Sequence, residues 1–348
     1  YLTSALEDTK ATIQASDVLA GDLPGPADEV AEGQKVRITN IEQLTAAGGT
    51  VVPIFNGTTL VSFEYIPPLN FVGQDTVRYV ATDDATYKPG EQSATGTVTI
   101  NVGPINDPPS FTPGGDVSVL EDSAPYSAPW ATNIVAGPPA ATDELASQTV
   151  SFNVTTDNDA MFAVLPKIDS TGKLSFTLAK DANGIVKLVA VAVDSGPNSP
   201  APNSNSSAPA TFNLNVAAVN DPPDFNVSRS IVVAEDSGAF TGLVLADIVP
   251  AEGMNSVPPT ALDEASQTVT IAATADKKDL FSTQPTIDAN GVLRFTPAPD
   301  ASGSAIISVV ATDNGPSTLP NINVSKIKSF TITITAENDA PVANNDRY

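Results

Sequence analysis

Apolar and polar residues alternate with a period of two in several segments of the chain. Leu174, Phe176 and Leu178, for example, are separated by Ser175 and Thr177. An alternation of this kind is typical of a β-strand with one face on a core and the other in water. The segments are 61–65, with Val61, Phe63 and Tyr65 apolar, and 174–178, 212–216 and 330–334. They predict strands throughout the chain.

Helical periodicity is missing from the sequence, and turn-forming residues are frequent. No stretch shows a sustained i, i+3, i+4, i+7 apolar pattern, and the chain contains 30 Pro and 22 Gly. Proline breaks helices because it lacks an N–H donor and clashes with the preceding turn. Many short strands separated by Gly, Pro and Asn turns are typical of β-sandwiches. The sequence therefore predicts an all-β protein.

Four sequence markers recur three times in the same order. An Asn-Asp-Pro/Ala-Pro segment begins at Asn106, Asn220 and Asn338, and a Glu-Asp-Ser/Thr triplet begins at Glu7, Glu121 and Glu235. Each repeat also has an Asp-Glu pair followed by Gln, and a valine-rich strand that ends in Asp. Repetition at a fixed period indicates tandem units. We predict repeats at 1–105, 106–219 and 220–337, with a linker and the start of a fourth repeat at 338–348.

Composition restricts the chemistry that the chain can perform. The 40 Asp and Glu exceed the 16 Lys and Arg, which gives a formal charge of −24, and the chain has no His and no Cys. The negative charge argues against nucleic acid and anionic membrane partners, and no apolar run suggests membrane insertion. Cys/His zinc sites, thiolate nucleophiles and Ser-His-Asp triads are excluded. Hard cations such as Ca²⁺, or a glycosidase-type carboxylate pair, remain.

The repeated acids are expected to converge where one repeat meets the next. Asp107 and Asp221 lie on the connectors, Asp194 and Asp313 end a strand near the top of a unit, and Glu121 and Glu235 lie near the base of a unit. The pairs Asp143/Glu144 and Asp263/Glu264 precede a strand that begins at the top. Such a cluster repels itself unless a cation fills it, and Ca²⁺ accepts six to eight oxygen ligands.

These motifs carry a resemblance to a known family. The segment 220–225 (NDPPDF) resembles the Asp-x-Asn-Asp-x-x-Pro-x-Phe calcium linker of cadherin repeats, and 191–197 (VAVDSGP) and 310–316 (VATDNGP) resemble a second cadherin element. The segment 63–84 looks like the bacterial cadherin-like tandem repeats, of VCBS and cadherin type, in large secreted adhesins. The resemblance implies three Ig-like/cadherin-like β-sandwiches in an extended array.

The resemblance also implies Ca²⁺ as the cofactor and a set of ligands. Where cadherins carry Asp-Arg-Glu at the base, this chain has 181–183 (DAN) and 300–302 (DAS), so we expect fewer or weaker ions per junction. The complete predicted metal set, from the repeated markers and the resemblance together, is Glu7, Asn106, Asp107, Glu121, Asp143, Glu144, Asp181, Asp194, Asn220, Asp221, Glu235, Asp263, Glu264, Asp300, Asp313, Asn338 and Asp339.

The predicted function is a calcium-stiffened structural stalk or fibre segment of a large extracellular adhesin or surface protein, with no enzymatic activity. Its partners would be neighbouring repeats, with self-association into fibres or cell-surface and polysaccharide contact also open. The alternative is a carbohydrate- or partner-binding module of a secreted protein, although an aromatic content of 6% offers little for a sugar platform. The plainer interpretation is that the Asn-Asp-Pro and Asp-Asn-Gly segments are only turns and that the acids are solvated.

Overall fold

The computed structural model describes residues 1–85 and 90–341 and has an all-β architecture of three tandem sandwiches. Helices within these ranges are short: α1 (Ala15–Val18), α2 (Ala27–Ala31), α3 (Thr142–Ser147) and several single 3₁₀ turns. The predicted fold class is confirmed. The predicted start of a fourth repeat lies, beyond Pro341, outside the described residues, and the repeat boundaries stay a prediction.

The first sandwich contains two sheets. Its strands are β1 (Leu2–Leu6), β2 (Ala11–Gln14), β3 (Val36–Ile41), β4 (Thr50–Asn56), β5 (Thr59–Ile66), β6 (Gly73–Asp83) and β7 (Ser93–Gly103). One sheet has the order β1-β7-β6-β3 and the other β2-β5-β4.

The second and third sandwiches repeat this plan with two additional short strands each. The second contains β8 (Ser110–Thr112), β9 (Val117–Leu120), β10 (Tyr126–Pro129), β11 (Thr132–Val135), β12 (Val150–Thr156), β13 (Phe162–Ile168), β14 (Lys173–Leu178), β15 (Gly184–Asp194) and β16 (Ala210–Ala217). The third contains β17 (Asp224–Val227), β18 (Ile231–Ala234), β19 (Phe240–Leu243), β20 (Leu245–Val249), β21 (Val269–Ala275), β22 (Phe281–Ile287), β23 (Val292–Pro297), β24 (Gly303–Asp313) and β25 (Lys328–Thr335). The four-stranded sheets have the orders β12-β15-β16-β9 and β18-β25-β24-β21.

One strand pairing in each sandwich determines where the functional side chains lie. β1 pairs with β7 in parallel, as do β9 with β16 and β18 with β25. Because the two strands of a parallel pair run in the same direction, the residues that follow them leave the sheet at the same edge. The Glu-Asp-Ser/Thr triplet after the first strand therefore lies beside the connector that follows the last strand.

Each sandwich has its own hydrophobic core, formed by the inward faces of the alternating strands. Phe63 and Ile100 are fully buried in the first core, Leu174 and Leu188 in the second, and Phe225 in the third. Trp130 is buried in the second core and donates its indole N–H to the Gly115 carbonyl at 3.0 Å. Separate cores allow each unit to be stabilised largely by its own packing.

The alternation predicted for 61–65 is interrupted in β5. Val61 is 46% exposed, whereas Ser62 is buried beside the buried Phe63. The pairing with β4 moves from Ile54–Ser62 to Phe55–Leu60, so that Val61 has no partner opposite it. Such an extra residue is a β-bulge, and it turns the side chains on one side of it to the other face. The expectation that Val61 faces the core is therefore wrong.

Candidate cation sites at the junctions between sandwiches

The glutamate at the base of each sandwich is buried and holds the connector that follows. One carboxylate oxygen of each glutamate accepts a hydrogen bond from a backbone N–H of the connector. The pairs are Glu7 with Ile105 at 2.7 Å, Glu121 with Val219 at 2.6 Å and Glu235 with Glu337 at 2.8 Å. Burial raises the pKa of Glu7 and of Glu121 despite these bonds, and the acidic neighbours add to the rise.

A second buried glutamate, at the top of the next sandwich, binds the connector aspartate from the other side. Glu144 accepts the Asp107 N–H through Oε1 at 2.6 Å, and Glu264 accepts the Asp221 N–H in the same way at 2.6 Å. Burial, together with the negative charge of the connector aspartate, raises the pKa of Glu144 to about 7 and that of Glu264 to about 8. Each of these two glutamates therefore ionises less readily than an ordinary carboxyl.

The connector asparagines are held by amide-specific contacts. Asn106 donates through Nδ2 to Asp194 Oδ1 at 3.1 Å and to the Ser204 carbonyl at 2.8 Å, and its Oδ1 accepts from Gln148 Nε2 at 2.6 Å. The next junction repeats these contacts with Asn220, Asp313, the Ile322 carbonyl and Gln267. Because both ends of the amide are used, these asparagines orient the connector and have little capacity left for a cation.

Several buried carboxylate oxygens in the described ranges have no hydrogen-bond partner. Buried polar atoms in folded proteins normally have one, so a concentration of unpartnered oxygens calls for a ligand that they could share. A divalent cation of the Ca²⁺ type, which takes oxygen ligands only, fits this donor set. The atoms are Glu7 Oε2, Glu144 Oε2 and Asp194 Oδ2 around the first junction, and Asp181 Oδ1, Glu264 Oε2 and Asp313 Oδ2 around the second.

Aspartates from three segments also converge at the base of the second sandwich and at the base of the third. Carboxylate oxygens of Asp122, Asp181 and Asp221 lie within 4.8 Å of one another at the second junction. Asp236, Asp300 and Asp339 form the same triangle below the third sandwich. Burial and the charges of Asp181 and Asp122 raise the pKa of Asp221 to about 7. The triangle thus gathers negative charge that a cation would neutralise.

The sequence reasoning missed one aspartate in each triangle. Asp122 and Asp236, with Asp8 in the first sandwich, are the second residues of the Glu-Asp-Ser/Thr triplets, of which only the glutamates were predicted as ligands. All three have positive φ, between 54° and 61°, a backbone conformation uncommon outside Gly, Asn and Asp. The recurrence of Asp at this place was the available signal.

Other predicted residues lie around these sites at greater exposure. Asp143 is half-buried on α3, and Asp263 is exposed on the 3₁₀ turn Leu262–Glu264. Their charges act across the junctions, because Asp143 contributes to the raised pKa of Glu7 and Asp263 to that of Glu121. Asn338 is exposed, and its side-chain amide donates a hydrogen bond to the Asp339 carbonyl at 3.4 Å.

The loops before β16 and β25 also bind the connectors, which the sequence reasoning did not anticipate. Asn203 accepts the Asn106 N–H through Oδ1 at 2.8 Å, and Asn321 accepts the Asn220 N–H at the same distance. Asn203 and Ser204, in the segment 195–208, pack on the connector because they supply partners for its backbone.

An open depression of about 420 Å³ lies on the first sandwich, away from the connectors. Asp22, Tyr79 and Asp83 line it, and the Tyr79 hydroxyl donates to Asp22 Oδ2 at 2.7 Å. Burial and the Asp22 carboxylate raise the pKa of Tyr79 to about 12, so its hydroxyl remains a donor at neutral pH. Asp22 is thereby occupied by a structural hydrogen bond.

None of the helices in the described ranges has both the length and the apolar character needed to cross a bilayer.

Comparison with known protein families finds one match, which covers the first sandwich. Residues 2–101 match the model described as "Bacterial Ig domain". This match supports an Ig-like repeat at that place and covers less than half of the chain. No curated protein matches the chain. The finer assignment to VCBS-type repeats stays a prediction.

Solved structures similar to the chain include cadherin fragments. Mouse cadherin-23 EC22-24 is 17% identical, with a TM-score of 0.44, and the match covers 97% of this chain and 96% of that one. Mouse protocadherin-24 EC1-3 is 15% identical, with a TM-score of 0.40, over 84% and 91%. Drosophila N-cadherin EC1-4 is 15% identical, with a TM-score of 0.38, over 97% and 73%. These scores are low, and the fold class rests on the sheets described above.

Proposed function

We propose that this chain is a structural stalk or fibre segment of a large extracellular adhesin or surface protein, and that Ca²⁺ bound between its sandwiches stiffens it. The observation that carries the proposal is the position of Glu144 and Glu264. Each binds the connector aspartate through one oxygen, while its second oxygen is buried among further acids and has no partner in the part of the chain that the structure describes. Buried carboxylates of this kind are costly unless a cation or a proton compensates them.

At the second junction the cation would be held by three groups of ligands. Glu121, Asp122 and Asp181 belong to the base of the second sandwich, Asp221 to the connector, and Glu264 to the top of the third. When a cation is bound by ligands from both sides, it fixes their separation and with it the angle between the sandwiches. Without it, the acids of the two sides repel each other across the junction.

The composition of the chain agrees with a cation-binding role. The chain has no His or Cys, and the repeated acids serve as ligands instead of as an acid–base pair. Extracellular calcium modules typically bind with dissociation constants of about 10⁻⁴–10⁻³ M, which suits an external location. Neighbouring repeats are then the first partners of each unit, and a non-enzymatic role follows.

Small-angle X-ray scattering and calorimetry together test the proposal. The maximum dimension is expected to be larger and better defined in calcium than in chelator, and isothermal titration is expected to show heat of calcium binding. Magnesium serves as the control ion, because it keeps several of its waters and prefers octahedral geometry. Unchanged scattering together with no calcium heat would refute the proposal.

A further inference from the structure

A residue with positive φ occurs in a turn at the base of each sandwich. Its side chain is an amide in the first sandwich and a carboxylate in the second and third. Asn70, Asp181 and Asp300 all have positive φ, of 53°, 53° and 54°. The Asn70 N–H donates to Asp8 Oδ1 at 2.9 Å, and the Asp181 N–H donates to Asp122 Oδ1 at 3.1 Å. The first junction therefore has an amide at the position where the second has a carboxylate.

The amide of Asn70 bridges two carboxylates across the first junction. The oxygen and nitrogen of a side-chain amide are assigned from their hydrogen-bond partners, and only the nitrogen can donate to an acid. With the Asn70 nitrogen assigned in this way, it lies 3.2 Å from Asp8 Oδ2 and 2.7 Å from Asp107 Oδ2. Asp8 belongs to the base of the first sandwich, whereas Asp107 belongs to the connector that the second sandwich holds through Glu144. The two N–H groups of this neutral amide thus join the base of the first sandwich to the connector, with charge-assisted hydrogen bonds to both acids.

In the described ranges, no amide joins the base acids of the second junction to the connector acid Asp221, and the donor that crosses from the third sandwich is the Thr260 hydroxyl, which is bonded to Asp181. Asp122, Asp181 and Asp221 form the carboxylate triangle, and Asp181 is only 7% exposed, with Oδ1 unpartnered in the described ranges. Its other oxygen accepts the Thr260 hydroxyl and lies 3.4 Å from Lys180 Nζ. The Lys180 side chain is 63% exposed, so solvent screens its charge, and one lysine cannot balance three carboxylates.

We propose that the two junctions differ in their dependence on a divalent cation: the first can also bind one, but the Asn70 bridge keeps it closed when the cation is removed, whereas the second closes only when a cation occupies the Asp122–Asp181–Asp221 triangle. This inference rests on the proposed function. Asn70 and Asp181 are then the residues that determine the difference. Removal of calcium would convert the chain from a three-unit rod into a rigid pair of sandwiches joined to a third by a hinge.

Spin labels on the full chain can report on each junction separately, because the sequence has no cysteine. Ser4→Cys with Asn153→Cys spans the first junction, and Ser118→Cys with Ala272→Cys spans the second at equivalent strand positions, all of them exposed. Pulsed electron–electron double resonance in calcium and in chelator then gives the distribution of distances between the two labels across each junction. On chelation we expect the width to increase about twofold at the second junction and to stay unchanged at the first.

Reciprocal variants test the two residues themselves. Asn70→Asp is expected to make the first junction broaden on chelation, and Asp181→Asn to keep the second narrow, since its amide can bridge Asp122 and Asp221. Asp279→Asn, the same chemical change at an exposed position away from both junctions, is the control. Circular dichroism verifies folding, and the isosteric Asp181→Asn keeps the test decisive if Asn70→Asp is unstable.

The possible failures can be told apart. If both junctions broaden alike on chelation, the cation stiffens the chain but Asn70 does not distinguish the junctions, and only this inference is overturned. If neither junction responds and calorimetry detects no calcium binding, the proposed function fails and the inference with it. Reciprocal variants that leave both widths unchanged would also overturn the inference.

Discussion

The carboxylate of Glu121 accepts the backbone N–H of Val219 at 2.6 Å, although 98 residues separate the two in sequence. The next residues of the connector, Asn220 and Asp221, are bound by the third sandwich through Asp313 and Glu264. Adjacent connector residues are thus anchored to different sandwiches, which leaves few rotatable backbone bonds between them. The junction is short and stiff for this reason, and its remaining freedom depends on the charge gathered there.

Replacing Glu264 by glutamine should weaken the response to calcium. The variant removes a buried carboxylate whose second oxygen has no partner in the described ranges, so the melting temperature in chelator should stay equal or rise. The stabilisation by calcium should shrink, because a saturating ligand at about 100 times its dissociation constant adds about 2.7 kcal/mol per site. Differential scanning calorimetry measures both effects. Glu42→Gln, at an exposed position, should behave as the parent chain, and an equal response of the two variants would contradict the assignment.

Without calcium, stability should fall as the pH rises from about 4.5 to about 8. The pKa of Glu264 is raised from its ordinary 4.5 to about 8 and that of Glu144 to about 7, so the folded chain binds more protons than the unfolded chain in this window. The free energy of unfolding decreases with pH wherever the folded state holds the extra protons. Urea denaturation at several pH values in chelator measures the slope. In calcium, the free energy of unfolding should depend less on pH. A free energy of unfolding that rises with pH in chelator would contradict the prediction.

Asn220→Asp should destabilise the second junction more than an ordinary surface change. The substitution replaces the Nδ2 donor to Asp313 with a charged oxygen, and it places that oxygen against a buried carboxylate. Leaving a buried polar group unsatisfied costs about 1–3 kcal/mol, and more for charged groups. Chemical denaturation compares it with Asn290→Asp, which is exposed. Similar losses in both variants would show that the amide contacts contribute nothing specific.

Ile332→Ala should destabilise the third sandwich alone. Ile332 is fully buried in that core, and removing large aliphatic side chains from a core typically costs about 2–5 kcal/mol. Because each sandwich has its own core, hydrogen exchange should accelerate in β18, β24 and β25 and remain unchanged in the first sandwich. Val232→Ala, in the same sheet but 68% exposed, is the matched control. Acceleration throughout the chain would show that the sandwiches unfold together.

The local pattern was sufficient to predict the all-β class and the repetition. Period-two alternation at 174–178 and 330–334 needs no tertiary information, since the pleat alone sends successive side chains to opposite faces. The same rule failed at Val61, because the bulge there depends on how β4 pairs with β5, and pairing is not a local property. The sequence alone also excluded chemistry that requires His or Cys, because the chain has neither.

Tertiary structure decided which acids meet. Nothing local in the sequence indicates that Glu121 lies beside Val219, since the parallel pairing of β9 with β16 brings them together across most of a repeat. The exchange of Asp181 for Asn70 is equally invisible in the repeated markers, because the surrounding residues differ and only the shared turn and the partners Asp122 and Asp8 align the two positions. The chain sequence supplied the ligand types, and the long-range strand pairing determined their grouping.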